Sequence, residues 1–197
     1  MQKWLRIIGL YSLLFYCSCQ EPAQNISIEK PAETPVAFFP VTDFIRGQIK
    51  EIENLPVTLL IIEIEGKHQD TSWIDKKDIG KLAAPFLHPE IDSASMTNLF
   101  IGKSFLDQTI DAFTFSYDPK EKLPDSMRLN HWDVYIDPDK NSVQRIYMVK
   151  EDIINSQPAT IQLTWVTGKW FSIRNIIQVA GKAPLIKEQI VKWYFDE

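Results

Sequence analysis

The sequence predicts an α+β fold, with N-terminal helices followed by an antiparallel β-meander forming one curved sheet. Three observations carry this expectation. Apolar residues recur at helical spacing in the first half of the chain. From about residue 108 the period falls to two. Clusters of turn-forming residues interrupt that alternation at regular intervals.

Phe38-Phe39-Pro40 opens the folded part. Thr42 or Asp43 is placed to cap a helix over 43–53, where Phe44, Ile45, Ile49 and Ile52 share a face and Pro56 ends the run. Residues 57–65 (VTLLIIEIE) are apolar and β-branched and read as a strand leading to Gly66. Residues 75–86 read as a helix with Ile79, Leu82 and Ala83 on one face, broken by Pro85 and Pro89. A second short helix over 91–101 completes a helical hairpin. Then Ile110, Ala112, Phe113 and Phe115 predict a strand ending at Asp118-Pro119. Two hairpins follow. Trp132, Val134 and Ile136 lead into the turn at 137–142 and return along 143–150; Ile161, Leu163 and Trp165 lead into Thr167-Gly168-Lys169 and return along 170–177. A strand over 189–195 closes the chain.

Burial of one sheet face selects the registers, because a one-residue slip sends every side chain to the opposite face. A three-residue loop at 139–141 groups Trp132, Val134 and Ile136 with Ile146 and Met148. A three-residue loop at 167–169 groups Ile161, Leu163 and Trp165 with Phe171 and Ile173.

A length of 197 residues suits one domain, and 45% apolar with 12% aromatic residues can build its core. Net charge is −5, and residues 19–197 hold 19 basic against 26 acidic side chains, a balance of −7. That sign excludes the electrostatic footprint of a nucleic-acid binder and adhesion to anionic lipid by charge alone. The two cysteines, Cys17 and Cys19, stand together near the start, so the body offers no thiol for a disulfide, a zinc site or a nucleophile.

Lys3 and Arg6 precede a ten-residue apolar run, 7–16 (IIGLYSLLFY), which is too short to cross ~30 Å of hydrocarbon as a helix. Tyr16-Cys17-Ser18-Cys19 follows, with small Ser18 directly before Cys19. This segment resembles the signal and lipobox of bacterial lipoproteins, although Tyr16 and Cys17 depart from the Leu and small residue favoured there. The resemblance covers residues 1–22. It implies a signal peptide at 1–18 and lipid attachment at Cys19. With Gln20 after the cysteine, it also implies an outer-membrane rather than inner-membrane destination. Residues 19–37, with Pro22, Pro31 and Pro35, then read as a lipidated tether ahead of a single globular domain over 38–197.

The sheet face opposite the apolar one carries the candidate binding residues: Tyr135, Arg145, Tyr147, Trp170 and Arg174, with His131, Asp133, Gln162 and Thr164 among them. Aromatic and guanidinium groups on a sheet suit a glycan, lipid or protein partner in the cell envelope; the plainer reading is cross-strand pairing on a solvated face. Asp137-x-Asp139-x-Asn141 begins like a calcium loop, but Ser142 stands where Gly is needed and Met148 where a bidentate Glu is needed, so a turn is expected. His68, His88 and His131 lack metal-ligand spacing, and Glu63 and Glu65 read as the solvent side of a strand. Gly102-Lys103-Ser104 lacks the upstream glycine of a phosphate loop, and no G-x-S-x-G is present. No catalytic residue, metal or cofactor is assigned. The expectation is a membrane-anchored envelope protein with a non-catalytic binding or structural role. Two alternatives stand beside it: a carrier holding an apolar molecule between sheet and helices, and an envelope hydrolase built on His131 and Asp133.

Overall fold

The computed structural model describes residues 38–124 and 126–195. The signal segment, Cys19 and the tether fall outside the described residues. The described chain is dominated by one nine-stranded antiparallel sheet, as the alternation predicts, and helices are a minor part of it.

The first element is α1 (Val41–Asn54), which buries Val41, Thr42, Ile45, Ile49 and Ile52 along one stripe. Its start differs from the expected cap. Pro40 occupies the cap position without a side-chain bond. The Thr42 hydroxyl instead accepts from the backbone N–H of Ile91 at 2.8 Å, and so ties the helix to a later loop. Pro56 follows the extended residue Leu55, which ends the helix.

Strands β1 (Leu59–Glu65) and β2 (His68–Ile74) form a hairpin about Gly66-Lys67, with Gly66 at a positive φ of 61°. This hairpin separates α1 from the remaining helices, so the order is not helices first and sheet second. The strand β2 escapes the sequence reading because HQDTSW alternates no apolar residue, and all its residues but the half-buried Ile74 are exposed. The expected helix over 75–86 is broken into a 3-10 turn at Lys76–Asp78, α2 (Ile79–Leu82) and α3 (Ala84–Leu87). The expected helix over 91–101 shrinks to α4 (Ser93–Met96), because residue 100 already belongs to a strand.

These short helices carry the chain from one sheet edge to the other. There β3 (Phe100–Asp107) begins a meander through β4 (Ala112–Pro119), β5 (Leu129–Asp137), β6 (Ser142–Ile154), β7 (Gln157–Val166), β8 (Trp170–Ile177) and β9 (Leu185–Lys192). The last strand pairs with β1, giving the order β2-β1-β9-β8-β7-β6-β5-β4-β3. The final strand therefore starts earlier than the expected 189, and Trp193 onward lies beyond it.

Both hairpin groupings hold. In β5–β6, Val134 faces Ile146 and Trp132 faces Met148. The connection is not a three-residue loop, however. Asp137 pairs with Ser142, and a register shift between Tyr135 and Ile136 restores the expected pairing. In β7–β8, Trp165 faces Phe171 and Leu163 faces Ile173 around Gly168, whose φ is 74°.

The inner face meets the helices in one core. Tyr117, Trp132, Val134, Ile146, Met148, Leu163, Trp165, Phe171, Val191, Leu59 and Ile61 pack with Ile45, Ile49, Ile52, Ile79, Phe86, Ile91 and Met96. Trp132 stacks on Tyr117 at 4.6 Å and meets Phe100 edge-on at 4.7 Å. Trp165 stacks on Phe171 at 5.1 Å and meets Phe86 at 5.4 Å. Lys150 lies on this face and is buried. Its ammonium donates to the carbonyls of Pro85 and His88, fastening the end of α3 to β6. Burial pushes its amine down to about 8.

Candidate binding face

The outer face is read by following the register across strands. One row runs Thr114, Tyr135, Arg145, Val166, Trp170 and Lys192. The next runs Ser116, Asp133, Tyr147, Thr164, Ser172 and Ile190. A third joins His131, Val149, Gln162, Arg174 and Glu188. Period two in β5, β6 and β8 places Tyr135, Arg145, Tyr147, Trp170 and Arg174 on this one face.

They do not converge equally. The Arg145 guanidinium lies 4.2 Å from the Tyr135 ring centroid, a cation–π stack. Tyr147 adjoins both, being two residues along from Arg145 and across from Asp133. Trp170 and Arg174 lie two strands further, roughly 10 Å away, beyond the β7 row of Gln162, Thr164 and Val166.

Beside the stack lies a charged chain that the sequence reading captured only in part. The His131 Nδ1 is 2.8 Å from the Asp118 carboxylate on β4, and its Nε2 is 3.1 Å from the Asp133 carboxylate. The Tyr135 hydroxyl donates to the other oxygen of Asp133 at 3.0 Å. Lys103 on β3 reaches Asp118 at 3.4 Å. Asp118 and Ser116 were the residues missed. Their signal was the alternation of β4, which opposes them to Phe115 and Tyr117.

Electrostatics follow from these contacts. Hydrogen bonding to Asp133, and secondarily to Asp118, raises the His131 pKa despite burial. Burial alone would raise Asp133, but His131, Ser116 and Tyr135 outweigh it and leave its pKa lowered. Burial and the Asp133 charge push the Tyr135 phenol up to about 12. Burial, with Asp133 next, also raises Tyr147. Both phenols are neutral donors at physiological pH.

Chemically, both ring nitrogens of His131 already face a carboxylate, so neither is turned toward a substrate. The two carboxylates lie on opposite ring nitrogens, so the three side chains do not enclose a common point. The guanidiniums are different. The Nε of Arg145 and that of Arg174 are buried without a hydrogen-bond partner. Among the described residues neither side chain joins an ion pair.

Asp137 accepts from the N–H groups of Asp139 and Lys140 at 2.9 and 3.0 Å, and Asn141 has φ 50°, as the turn reading requires. Residues 102–104 lie within β3, away from any helix start. Glu63 and Glu65 are exposed, but on the side of Leu59 and Ile61, where the core runs out; Glu65 pairs with Lys187 at 3.0 Å. An open apolar groove of about 540 Å³ lies at the sheet rim, lined by Val57, Thr58, Trp73, Trp193 and Phe195. Compared with family models, curated proteins and solved structures, the chain matches none.

Proposed function

We propose that this chain is a lipid-anchored envelope protein that binds a partner without converting it, and that it does so through the outer sheet face. One observation carries the reading. Arg145 and Arg174 each keep a buried Nε without a hydrogen-bond partner and, among the described residues, join no ion pair; they stand among Tyr135, Tyr147 and Trp170 on a chain whose overall balance is acidic. Guanidiniums outside ion-pair contact, even with Glu188 across from Arg174 in the register, suit a ligand that brings its own anions, and flanking rings suit a glycan or a protein segment. The saturated hydrogen bonding of His131 weighs against the hydrolase alternative.

The test uses the full chain with an acidic polysaccharide (polygalacturonate) and neutral dextran as probes. Calorimetry is expected to show binding to the acidic probe alone, weakened about tenfold by Arg145→Gln with Arg174→Gln. Release of reducing ends is expected to stay at background. Equal binding by wild type and double variant, or probe cleavage that His131→Gln abolishes, overturns the reading. The anchor itself is tested by radiolabelled palmitate, whose incorporation Cys19→Ala is expected to abolish.

The carrier alternative is better supported at the rim than between sheet and helices, where Trp132 packs on Tyr117 and Phe100, and Trp165, Phe86 and Phe171 pack on one another. Native mass spectrometry of the full chain tests it. A co-purifying apolar molecule that Trp73→Ala releases favours it; the bare chain mass removes it.

A further inference from the structure

The two edges of the sheet are built differently. The strand β2 closes one edge with exposed polar residues, His68, Gln69, Asp70, Thr71 and Ser72; its one large exposed apolar group, Trp73, is met by the Phe195 ring at 5.9 Å. At the other edge β3 pairs only with β4 among the described residues, so one side of its backbone is unpaired. It also exposes Phe105 and Leu106 by 49% and 46%, beside Ile110 and Phe113 at the same hairpin tip. A long edge with large apolar side chains is a template for another strand unless something covers it.

We propose that β3 pairs with β3 of a second copy, joining two nine-stranded sheets about a two-fold axis through Phe105. The argument is charge complementarity under symmetry. A two-fold axis relating adjacent antiparallel strands stands perpendicular to the sheet, so paired residues share a face and the centre falls on a residue. Lys103, Phe105 and Asp107 lie on the outer face. Centring on Lys103 opposes two lysines, and centring on Asp107 opposes two aspartates. Centring on Ser104 or Leu106 leaves both charges opposite apolar or aromatic groups or mispaired along the strand. Centring on Phe105 sets Lys103 of each copy across from Asp107 of its partner, twice, with the two Phe105 rings between them. On the opposite face Leu106 meets small Ser104. Lys103 is 59% exposed. Asp107 accepts from Thr109 through Oδ1 alone.

The pairing is tested on the full chain by installing benzoylphenylalanine at Phe105 and irradiating. A crosslinked product of twice the chain mass, joined between β3 peptides, is expected. Like charges directly opposite destabilise a strand pair. Lys103→Asp and Asp107→Lys are therefore each expected to cut the dimer yield about tenfold, and the double exchange to restore it. The Asp107→Lys variant leaves the Lys103–Asp118 pair in place, and circular dichroism confirms that each variant folds. A wild-type chain that stays monomeric in sedimentation, a crosslink to a different protein, or a double exchange that fails to restore the dimer overturns the proposal.

Discussion

On the inner face of the sheet, neighbouring strands are joined ring to ring. Trp132 stacks on Tyr117 and Trp165 on Phe171, with helices laid over them. On the outer face, the same strands are joined by charge and hydroxyl. Asp118, His131, Asp133, Tyr135 and Arg145 form one chain of contacts across β4, β5 and β6. Each face is set by the same alternation, yet the two differ in what a substitution should cost. Inner-face groups lose burial and leave a void; outer-face groups lose pair interactions that water partly replaces.

The largest effect is expected at Trp132, fully buried between Tyr117 and Phe100. Trp132→Ala is expected to cost about 3–5 kcal/mol, read from the urea midpoint at constant slope. A cost as small as those on the outer face would break the contrast between the faces.

The inner face was the more legible of the two because burial constrains register. Leu163, Trp165, Phe171 and Ile173 could share a face in only one simple loop arrangement, and they do. At β5–β6 the pairing was legible but its route was not. Asp137 begins a longer loop, and a bulge at Tyr135/Ile136 absorbs the extra residue. Apolar period carries no information about such compensation. The strand β2 was illegible because an edge strand that buries part of Ile74 alone needs no alternation. On the outer face, alternation could assign Tyr135, Arg145, Tyr147, Trp170 and Arg174 to one side. It could not say that Tyr135 and Arg145 touch while Trp170 and Arg174 stand apart, because that depends on strand order. Asp118 went unseen for the same reason: its partner His131 lies on another strand.

Lys150 sharpens the comparison, being the buried charged group of the inner face among the described residues. Its pKa is about 8 folded against 10.5 for the ordinary amine. The unfolded chain therefore holds the proton across that interval while the folded chain has released it, and stability rises with pH there. Relative to Lys150→Met, the wild type is expected to gain up to about 3 kcal/mol as pH climbs from about 8 to 10.5. Denaturant unfolding at several pH values measures it. A difference that does not change with pH would mean that the Pro85 and His88 carbonyls keep the ammonium protonated throughout.

His131 supplies the outer-face counterpart with the opposite sign. Its folded pKa is raised above 6.5, so its contribution is complete below that value and is lost as pH rises through the folded pKa. Asp133, lowered below 3.8, contributes above that value and loses its effect as pH falls through its folded pKa. His131→Gln is expected to cost about 1 kcal/mol near pH 6, discounted for the partial exposure of Asp118, and progressively less in alkali. Two-dimensional NMR of the imidazole gives the pKa directly. A value below 6.5 would remove the charged chain as the link between β4 and β5.

The smallest effect belongs to the stack that defines the proposed binding face. Arg145 and Tyr135 form a directly paired cross-strand couple, and a partly exposed cation–π contact is worth about 0.5–1 kcal/mol. A double-mutant cycle of Arg145→Met with Tyr135→Leu, repeated from a Tyr135→Phe parent that keeps the ring and lacks only the hydroxyl, isolates that coupling from the Tyr135 bond to Asp133. A coupling near 0.5 kcal/mol combined with a large loss of ligand binding would mean that the stack holds the guanidinium in place for a partner rather than holding the fold together. Coupling of several kcal/mol would place Arg145 among the structural groups, and the outer face would then resemble the inner one in kind.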